Sequence, residues 1–261
     1  MTDQDLKGRV ALVTGGGRGI GRACCEAIAA AGADVAVNYC SNKQAAEETA
    51  KLVESTGRRA MTVRADVSSS EEVARMVADV EGELGPIDLL VNNAGIFDYV
   101  SHEETTPEQW QRTLDINLTG AMHVARESIP YLQLGWDPSV IIVGSKNVPA
   151  PGPAAGAYSV AKAGLTQLAR VLALELAADG IRVNTVHPNA VFDTAIWTDE
   201  VLEGRAAHYG MSVENYRRNN LLRQEVTSAD VAAMVCVMAG SAFRCTTGAQ
   251  LPIDGGNERV L

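Results

Sequence analysis

The chain has 261 residues, of which 46% are hydrophobic and 21% charged, enough apolar material for one globular domain with a substantial core. Its formal charge is −10, so a nucleic-acid surface would have to oppose the mean field of the molecule, and neither DNA nor RNA is expected as a partner. The five cysteines (Cys24, Cys25, Cys40, Cys236, Cys245) and four histidines show no metal-ligand spacing, so reduced thiols in apolar surroundings and no metal are expected.

The opening stretch, MTDQDLKGRVALVTGGG, is acidic and polar before its first apolar run, whereas a secretory signal needs a basic start and a longer greasy segment. No apolar run reaches membrane-spanning length, and a cytoplasmic protein with no membrane partner is expected. Short runs rich in Val, Ile and Leu then recur and read as strands: RVALVT (9–14), DVAVNY (34–39), AMTVRA (60–65), IDLLVN (87–92), SVIIVG (139–144), IRVNTV (181–186) and AQLPID (249–254). Helix-like segments lie between them. RACCEAIAAAG runs up to a glycine stop at Gly32, SSSEEV offers Ser68 as a cap with Glu71 three residues on, and TPEQW offers Thr106 before Pro107 with Gln109 completing the capping pattern. A parallel crossover needs a dozen or more residues and is normally filled by a helix. The alternation therefore predicts an α/β fold: a Rossmann-like, doubly wound parallel sheet of seven strands with helices on both faces, one domain over 1–261.

Ligands of such sheets bind beyond the carboxyl ends of the strands, where strand order reverses. The first predicted strand ends in TGGGRGIG (14–21) and a helix follows. Glycines there let a pyrophosphate approach backbone N–H groups at a helix N-terminus, where the dipole favours negative charge, so dinucleotide binding is expected. About twenty residues further on, such a site commonly carries an acidic residue for the ribose 2′-OH. Here Asn38, next to last in the second predicted strand, stands where the carboxylate would be, and Arg18 and Lys43 could meet a 2′-phosphate. NADP is favoured over NAD, with dual use open because asparagine also tolerates a bare ribose.

AYSVAKAG (157–164) sets Tyr158 and Lys162 four residues apart, on one face if the segment is helical. By itself that spacing fits an ordinary surface helix. Taken in order with TGGGRGIG, NNAG (92–95), the asparagine of LDINLTG (Asn117) and Ser145, it resembles the short-chain dehydrogenase/reductase family over nearly the whole chain. The resemblance implies that Gly15, Arg18, Gly19 and Ile20 line the pyrophosphate, Asp66 and Val67 the adenine, and Asn93, Ala94 and Gly95 the middle of the cofactor. It makes Asn117, Ser145, Tyr158 and Lys162 the catalytic positions. Tyr158 is then the general acid/base, Ser145 orients the substrate oxygen, and Lys162 both lowers the phenol pKa and binds the nicotinamide ribose, while Asn117 holds a proton-relay water. The resemblance further implies that the helices beginning near Asn117 and Tyr158 pair subunits in a homodimer or homotetramer.

After the sixth strand the family often reads P-G with a threonine five positions beyond the proline, against the nicotinamide. This chain reads HPNAVFDT, so Asn189 replaces the glycine and Thr194 falls six positions after Pro188. A substrate-covering segment is expected at about 190–225, where Trp197, Arg205, His208, Tyr209, Tyr216, Arg217 and Arg218 concentrate cationic and aromatic groups in an acidic chain. That segment, with GSKNVPAPGPAAGAYS and DGGNERVL, is similar to the dehydrogenase portion of bifunctional aldolase/short-chain dehydrogenase proteins, which implies a sugar, polyol or hydroxyaldehyde substrate. A 3-oxoacyl-thioester reductase and a non-catalytic dinucleotide-binding redox sensor are the alternatives.

Overall fold

All seven predicted strands form in the computed structural model, which describes residues 5–257: β1 Val10–Val13, β2 Asp34–Tyr39, β3 Ala60–Arg64, β4 Leu89–Asn92, β5 Ser139–Val143, β6 Arg182–Pro188 and β7 Gln250–Ile253. Between and after them lie α1 Gly19–Ala30, α2 Lys43–Ser55, α3 Ser70–Leu84, α4 Pro107–Leu114, α5 Gly120–Leu132, α6 Gly156–Glu175, α7 Asp199–His208, α8 Val213–Arg217 and α9 Ser228–Ala239. Every strand pair is parallel, in the order β3-β2-β1-β4-β5-β6-β7. The chain winds outward from β1 to β3 and then returns to start the other half at β4, so a crevice opens beyond the carboxyl ends of β1 and β4.

β1, β4, β5 and β6 are buried along their whole length, as apolar strands covered on both faces must be. Successive side chains alternate between the layers. Ala11 and Val13 join a core with Ile28, Val231 and Val235 of α1 and α9, while Val10 and Leu12 join one with Val73, Val124 and Leu165 of α3, α5 and α6. Cys24, Cys25 and Cys236 lie in the first core, and burial raises all three thiols, which removes thiolate reactivity.

Thr106 caps α4 in a full capping box with Pro107 behind it, as the sequence predicts. At α3 the cap is Ser69, one residue later than the predicted Ser68, and it accepts from the Glu72 N–H at 3.3 Å. The reason is local: the Asp66 carboxylate takes both the Ser68 hydroxyl, at 2.7 Å, and the Ser68 N–H, at 2.9 Å, in an Asx turn. Between α4 and α5 the helix swells into a π turn over Asp115–Thr119 that contains Asn117. Among the described residues no helix is long and apolar enough to cross a membrane, and no cluster of His, Cys, Asp or Glu could hold a metal.

Candidate active site

The glycine turn beyond β1 is braced from two sides. Thr14 Oγ1 accepts from the N–H groups of Asn93 and Ala94 at 2.9 and 3.0 Å, and Asn93 Nδ2 donates back to the Thr14 carbonyl at 2.9 Å. A Cβ on Gly21 would sit 2.2 Å from the Gly15 carbonyl oxygen, a backbone clash that no rotamer can relieve. Arg18, the N-cap of α1, makes no side-chain cap, whereas Asn42, Ser69 and Thr106 cap the next three helices. The first-turn N–H groups of α1 are thus left without a cap, and with the tight glycine cradle they fit a pyrophosphate. Gly21→Ala is expected to displace the turn and remove dinucleotide binding, read as loss of the cofactor-induced rise in Tm; a normal rise would sink this account of the turn.

Asn38 is placed differently from the sequence expectation. Its side chain is 2% exposed and lies beneath the turn, where Oδ1 accepts from the Gly15 N–H at 3.2 Å and Nδ2 donates to the Ala65 and Val63 carbonyls at 3.2 and 3.4 Å. It is therefore a brace and has no atom left for a ribose hydroxyl. Side chains alternate along a strand, so the adjacent Tyr39, half-buried, takes the opposite direction, with exposed Cys40 and Ser41 after it. Arg18 and Lys43 are exposed near this rim, and Asp66 and Val67 follow β3 on the same edge of the sheet. Val67 itself is buried, with its γ-methyl packed over Gly120.

Ser145 stands two residues past β5, buried, with its hydroxyl accepting from the Asn147 N–H at 3.1 Å. That leaves the hydroxyl proton free to be donated. Tyr158, in the first turn of α6, is half-buried, and its ring meets Phe97 edge-on at 4.9 Å. Lys162, one turn on, is 3% exposed and donates to the Val143 carbonyl at 2.8 Å, with Nζ 5.8 Å from the centre of the Tyr158 ring. Burial lowers the Lys162 ammonium to about 8. Burial also raises the Tyr158 phenol above its ordinary value, and the hydrogen-bonding influence of the Ser145 hydroxyl only partly offsets the rise. Burial thus dominates the phenol's shift, and the Lys162 ammonium, which the sequence reading makes its depressor, donates to the Val143 carbonyl.

Asn117 is 0% exposed, and both ends of its amide are engaged with main chain. Nδ2 donates to the Ile96 and Thr113 carbonyls, each at 3.0 Å, and Oδ1 accepts from the Ile96 N–H at 3.2 Å. It thereby fixes the Gly95–Ile96 strip, where a Cβ on Gly95 would stand 2.5 Å from its Oδ1. Both ends of the side-chain amide are thus committed to the main chain. The irregular stretch after Pro188 absorbs its extra residue through Ala190, in a left-handed conformation at φ 48°. Thr194 is then carried to the glycine turn, its γ-methyl 3.2 Å from where a Gly19 Cβ would be.

Ser145, Tyr158, Thr194 and the Asn93–Gly95 strip thus stand at the carboxyl ends of the strands, with Asn38 beneath the glycine turn. The model of a family described as Enoyl-(Acyl carrier protein) reductase matches residues 15–258. The chain belongs to the short-chain dehydrogenase/reductase family. It is 36% identical over 261 residues to the uncharacterized oxidoreductase YuxG of Bacillus subtilis (strain 168), a match covering 97% of this chain and 38% of that protein, so it spans well under half of that relative. Carveol dehydrogenase from Mycobacterium avium, solved in complex with NAD, superposes with a TM-score of 0.90 at 28% identity, covering 98% of this chain and 99% of that one. A short chain dehydrogenase from Burkholderia cenocepacia J2315, solved with NADP, superposes at 0.89 with 33% identity, covering 98% and 100%. As a short-chain dehydrogenase/reductase, the chain is an NAD(P)-dependent oxidoreductase acting on CH–OH groups.

Two features of this short-chain dehydrogenase/reductase were not singled out as site residues in the sequence. His187, among four scattered histidines, lies buried on β6 directly against Ser145. Phe97 and Tyr99, on the strip after β4, link Tyr158 to the 193–222 segment through a run of rings. There Arg205 Nη1 donates to the Tyr99 hydroxyl at 2.8 Å and its guanidinium lies over the Tyr99 and Tyr209 rings at 5.4 and 5.6 Å, while Phe192, Trp197 and Tyr216 pack on one another. Of the other two arginines in the segment, Arg217 pairs with Glu225 at 3.1 Å and Arg218 is exposed. The contacts of His187 with Ser145 and of Arg205 with Tyr99 do not declare themselves in sequence, because they join residues 42 and 106 positions apart.

Proposed function

We propose that this enzyme interconverts a secondary alcohol and its carbonyl partner with Tyr158 as general acid/base, the observation that carries the reading being the convergence of Tyr158, Ser145 and Lys162 at the ends of β5 and α6. The bound nicotinamide supplies or accepts the hydride. Gly15, Arg18, Gly19 and Ile20 would hold its pyrophosphate, Asp66 and Val67 the adenine edge, the Asn93–Gly95 strip the middle, and Pro188 and Thr194 the nicotinamide side. Ser145, its oxygen already accepting from Asn147, donates its own proton to the substrate oxygen and holds that oxygen beside the phenol. Tyr158 then delivers its proton to a carbonyl oxygen, or takes one from a carbinol. Lys162 closes the base of the site and binds the nicotinamide ribose. Asn117 supports the floor by fixing Ile96.

With no carboxylate among Tyr39, Cys40 and Ser41, and with Arg18 exposed at the turn, NADP is the favoured cofactor and NAD the second. Arg18→Ala is expected to lower kcat/KM for NADP about tenfold while leaving NAD nearly unchanged, as for the loss of one charged phosphate contact. Equal losses with both cofactors would refute a 2′-phosphate contact.

For the substrate, the wall above Tyr158 favours a molecule with a flat or cyclic body. More than half of the aromatic residues of the chain lie in the network from Tyr158 through Phe97 and Tyr99 to Tyr209, Tyr216, Trp197 and Phe192. The likeness to a carveol dehydrogenase supports the same class. A sugar, polyol or hydroxyaldehyde, as the sequence likeness implies, is the second reading, favoured by Arg205 of the covering segment and the Tyr99 hydroxyl it bonds as polar groups. The deciding experiment is a panel of cyclic alcohols, sugars, polyols, hydroxyaldehydes and 3-oxoacyl thioesters, followed at the nicotinamide absorbance with NAD and NADP in parallel. Turnover of ring alcohols supports the first reading, turnover confined to polyols the second, and turnover of acyl thioesters alone the reductase alternative. Cofactor binding without turnover would leave a redox sensor. Self-association is supported by the outward apolar residues of α6, Val160, Val171 and Leu174, the last 82% exposed, in keeping with a homodimer or homotetramer.

A further inference from the structure

The buried imidazole of His187 stands behind Ser145 and has no part in the reaction as described so far. It is 6% exposed, and Nδ1 lies 3.2 Å from the Ser145 nitrogen and 3.0 Å from the Ser145 carbonyl oxygen. Its other nitrogen, Nε2, is 2.7 Å from Gln250 Oε1, and Gln250 Nε2 donates to Thr185 Oγ1 at 3.3 Å. In this orientation the carboxamide oxygen faces Nε2, and Nδ1 meets both the N–H and the carbonyl of Ser145, so the ring engages the Ser145 main chain whichever of the two it bonds.

The strand geometry explains why a side chain is needed there. β5 stays registered on β6 beyond its last residue, since the Gly144 N–H donates to the Val186 carbonyl at 2.8 Å and the Lys146 N–H to the Pro188 carbonyl at 3.1 Å. On the opposite edge, β4 has ended at Asn92, level with Ile142, so no strand carbonyl continues alongside Ser145. The imidazole fills this position by lying over residue 144, where a Cβ would come within 2.7 Å of Nδ1; only glycine leaves that space.

We infer that His187 is a positioning residue: its imidazole, clamped by Gln250, holds the Ser145 main chain so that the hydroxyl is presented to the substrate oxygen beside Tyr158. This rests on the reading of Ser145 as the residue that orients substrate. A displacement of a catalytic group by about 1 Å can cost about a hundredfold in rate, so a single main-chain bond at this point has leverage on turnover.

Three variants separate positioning from bulk packing. His187→Asn keeps a polar acceptor at the level of Nδ1, His187→Gln reaches the level of Nε2 and so preserves the Gln250 contact alone, and His187→Leu removes both. With the best substrate from the panel, kcat is expected to fall about tenfold or more in the Gln and Leu variants and to stay within about threefold of wild type in the Asn variant, with cofactor Kd little changed throughout. Equal kcat in all four proteins, or an Asn variant as slow as the Gln variant, overturns the proposal. A readout independent of turnover is the Ser145 amide resonance, which should shift in the Gln and Leu variants and stay near its wild-type position in the Asn variant; an unmoved resonance in the Gln variant overturns the proposal whatever the rates. Failure of the catalytic reading itself would show separately, as wild-type rates in Ser145→Ala.

Discussion

Tyr158→Phe is expected to lower kcat by about a thousandfold while changing cofactor affinity and Tm little, the size being that of one general acid/base in a proton transfer. The substitution removes one oxygen and keeps the ring, so the edge-on contact with Phe97 at 4.9 Å survives and no cavity forms. Because burial already raises the phenol above its ordinary value, loss of the hydroxyl also removes a polar group held in partly apolar surroundings. The same shift sets the pH dependence of the wild-type enzyme. A raised phenol is protonated at neutral pH, ready to donate in carbonyl reduction, and must lose its proton to act as base in alcohol oxidation. Oxidation rates should therefore climb as pH rises from about 7 toward 10, while reduction rates should hold across that range, because a phenol raised above its ordinary value keeps its proton there. Steady-state rates in both directions, with cofactor Kd by fluorescence titration, check the set; near-normal turnover in the Phe variant would remove Tyr158 from the reaction.

Lys162→Met should remove most turnover and weaken cofactor binding at least tenfold, yet leave the ligand-free protein as stable as wild type or more so at neutral pH. The loss of function follows from losing a charged donor at the base of the site. The gain in stability follows from the lysine itself, whose ammonium is 3% exposed and lowered by burial from 10.5 to about 8. A shift of that size corresponds to about 3 kcal/mol against the charged form, and the lost bond to the Val143 carbonyl offsets about 1 kcal/mol of it in the variant. The sign over pH is fixed by the direction of the shift. Below about 8 both folded and unfolded chains carry the proton and the full penalty applies. Between about 8 and 10.5 the unfolded chain binds more protons than the folded one, so this group adds stability as pH rises. The advantage of the Met variant should thus shrink across that interval. A variant that is less stable than wild type at pH 7, and equally so at pH 10, would show that the lysine is a structural support and not a strained functional group.

How far the site could be read in the chain depends on the range of the contacts that make it. The seven strands and the α4 capping box are local patterns, and they stand where the sequence puts them. The α3 cap moved by one serine because Asp66, an ion, outcompetes a helix end for Ser68. Asn38 shows the sharper limit. Its place at the end of β2 is evident from the chain, but which face of the sheet a strand residue meets is decided by register with its neighbours, and the pairing Asn38↔Val63 turns its amide under the glycine turn.

By itself, the sequence determined the parallel alternation, the glycine turn before α1, and the order of Asn117, Ser145, Tyr158 and Lys162, because periodicity, turn chemistry and spacing act over a few residues. Only the tertiary structure decided that Lys162 points at Val143, that His187 lies against Ser145, and that Arg205 donates to Tyr99. Those pairs are separated by 19 to 106 positions, and such contacts exist only once burial and strand register have brought distant segments onto one edge of the sheet.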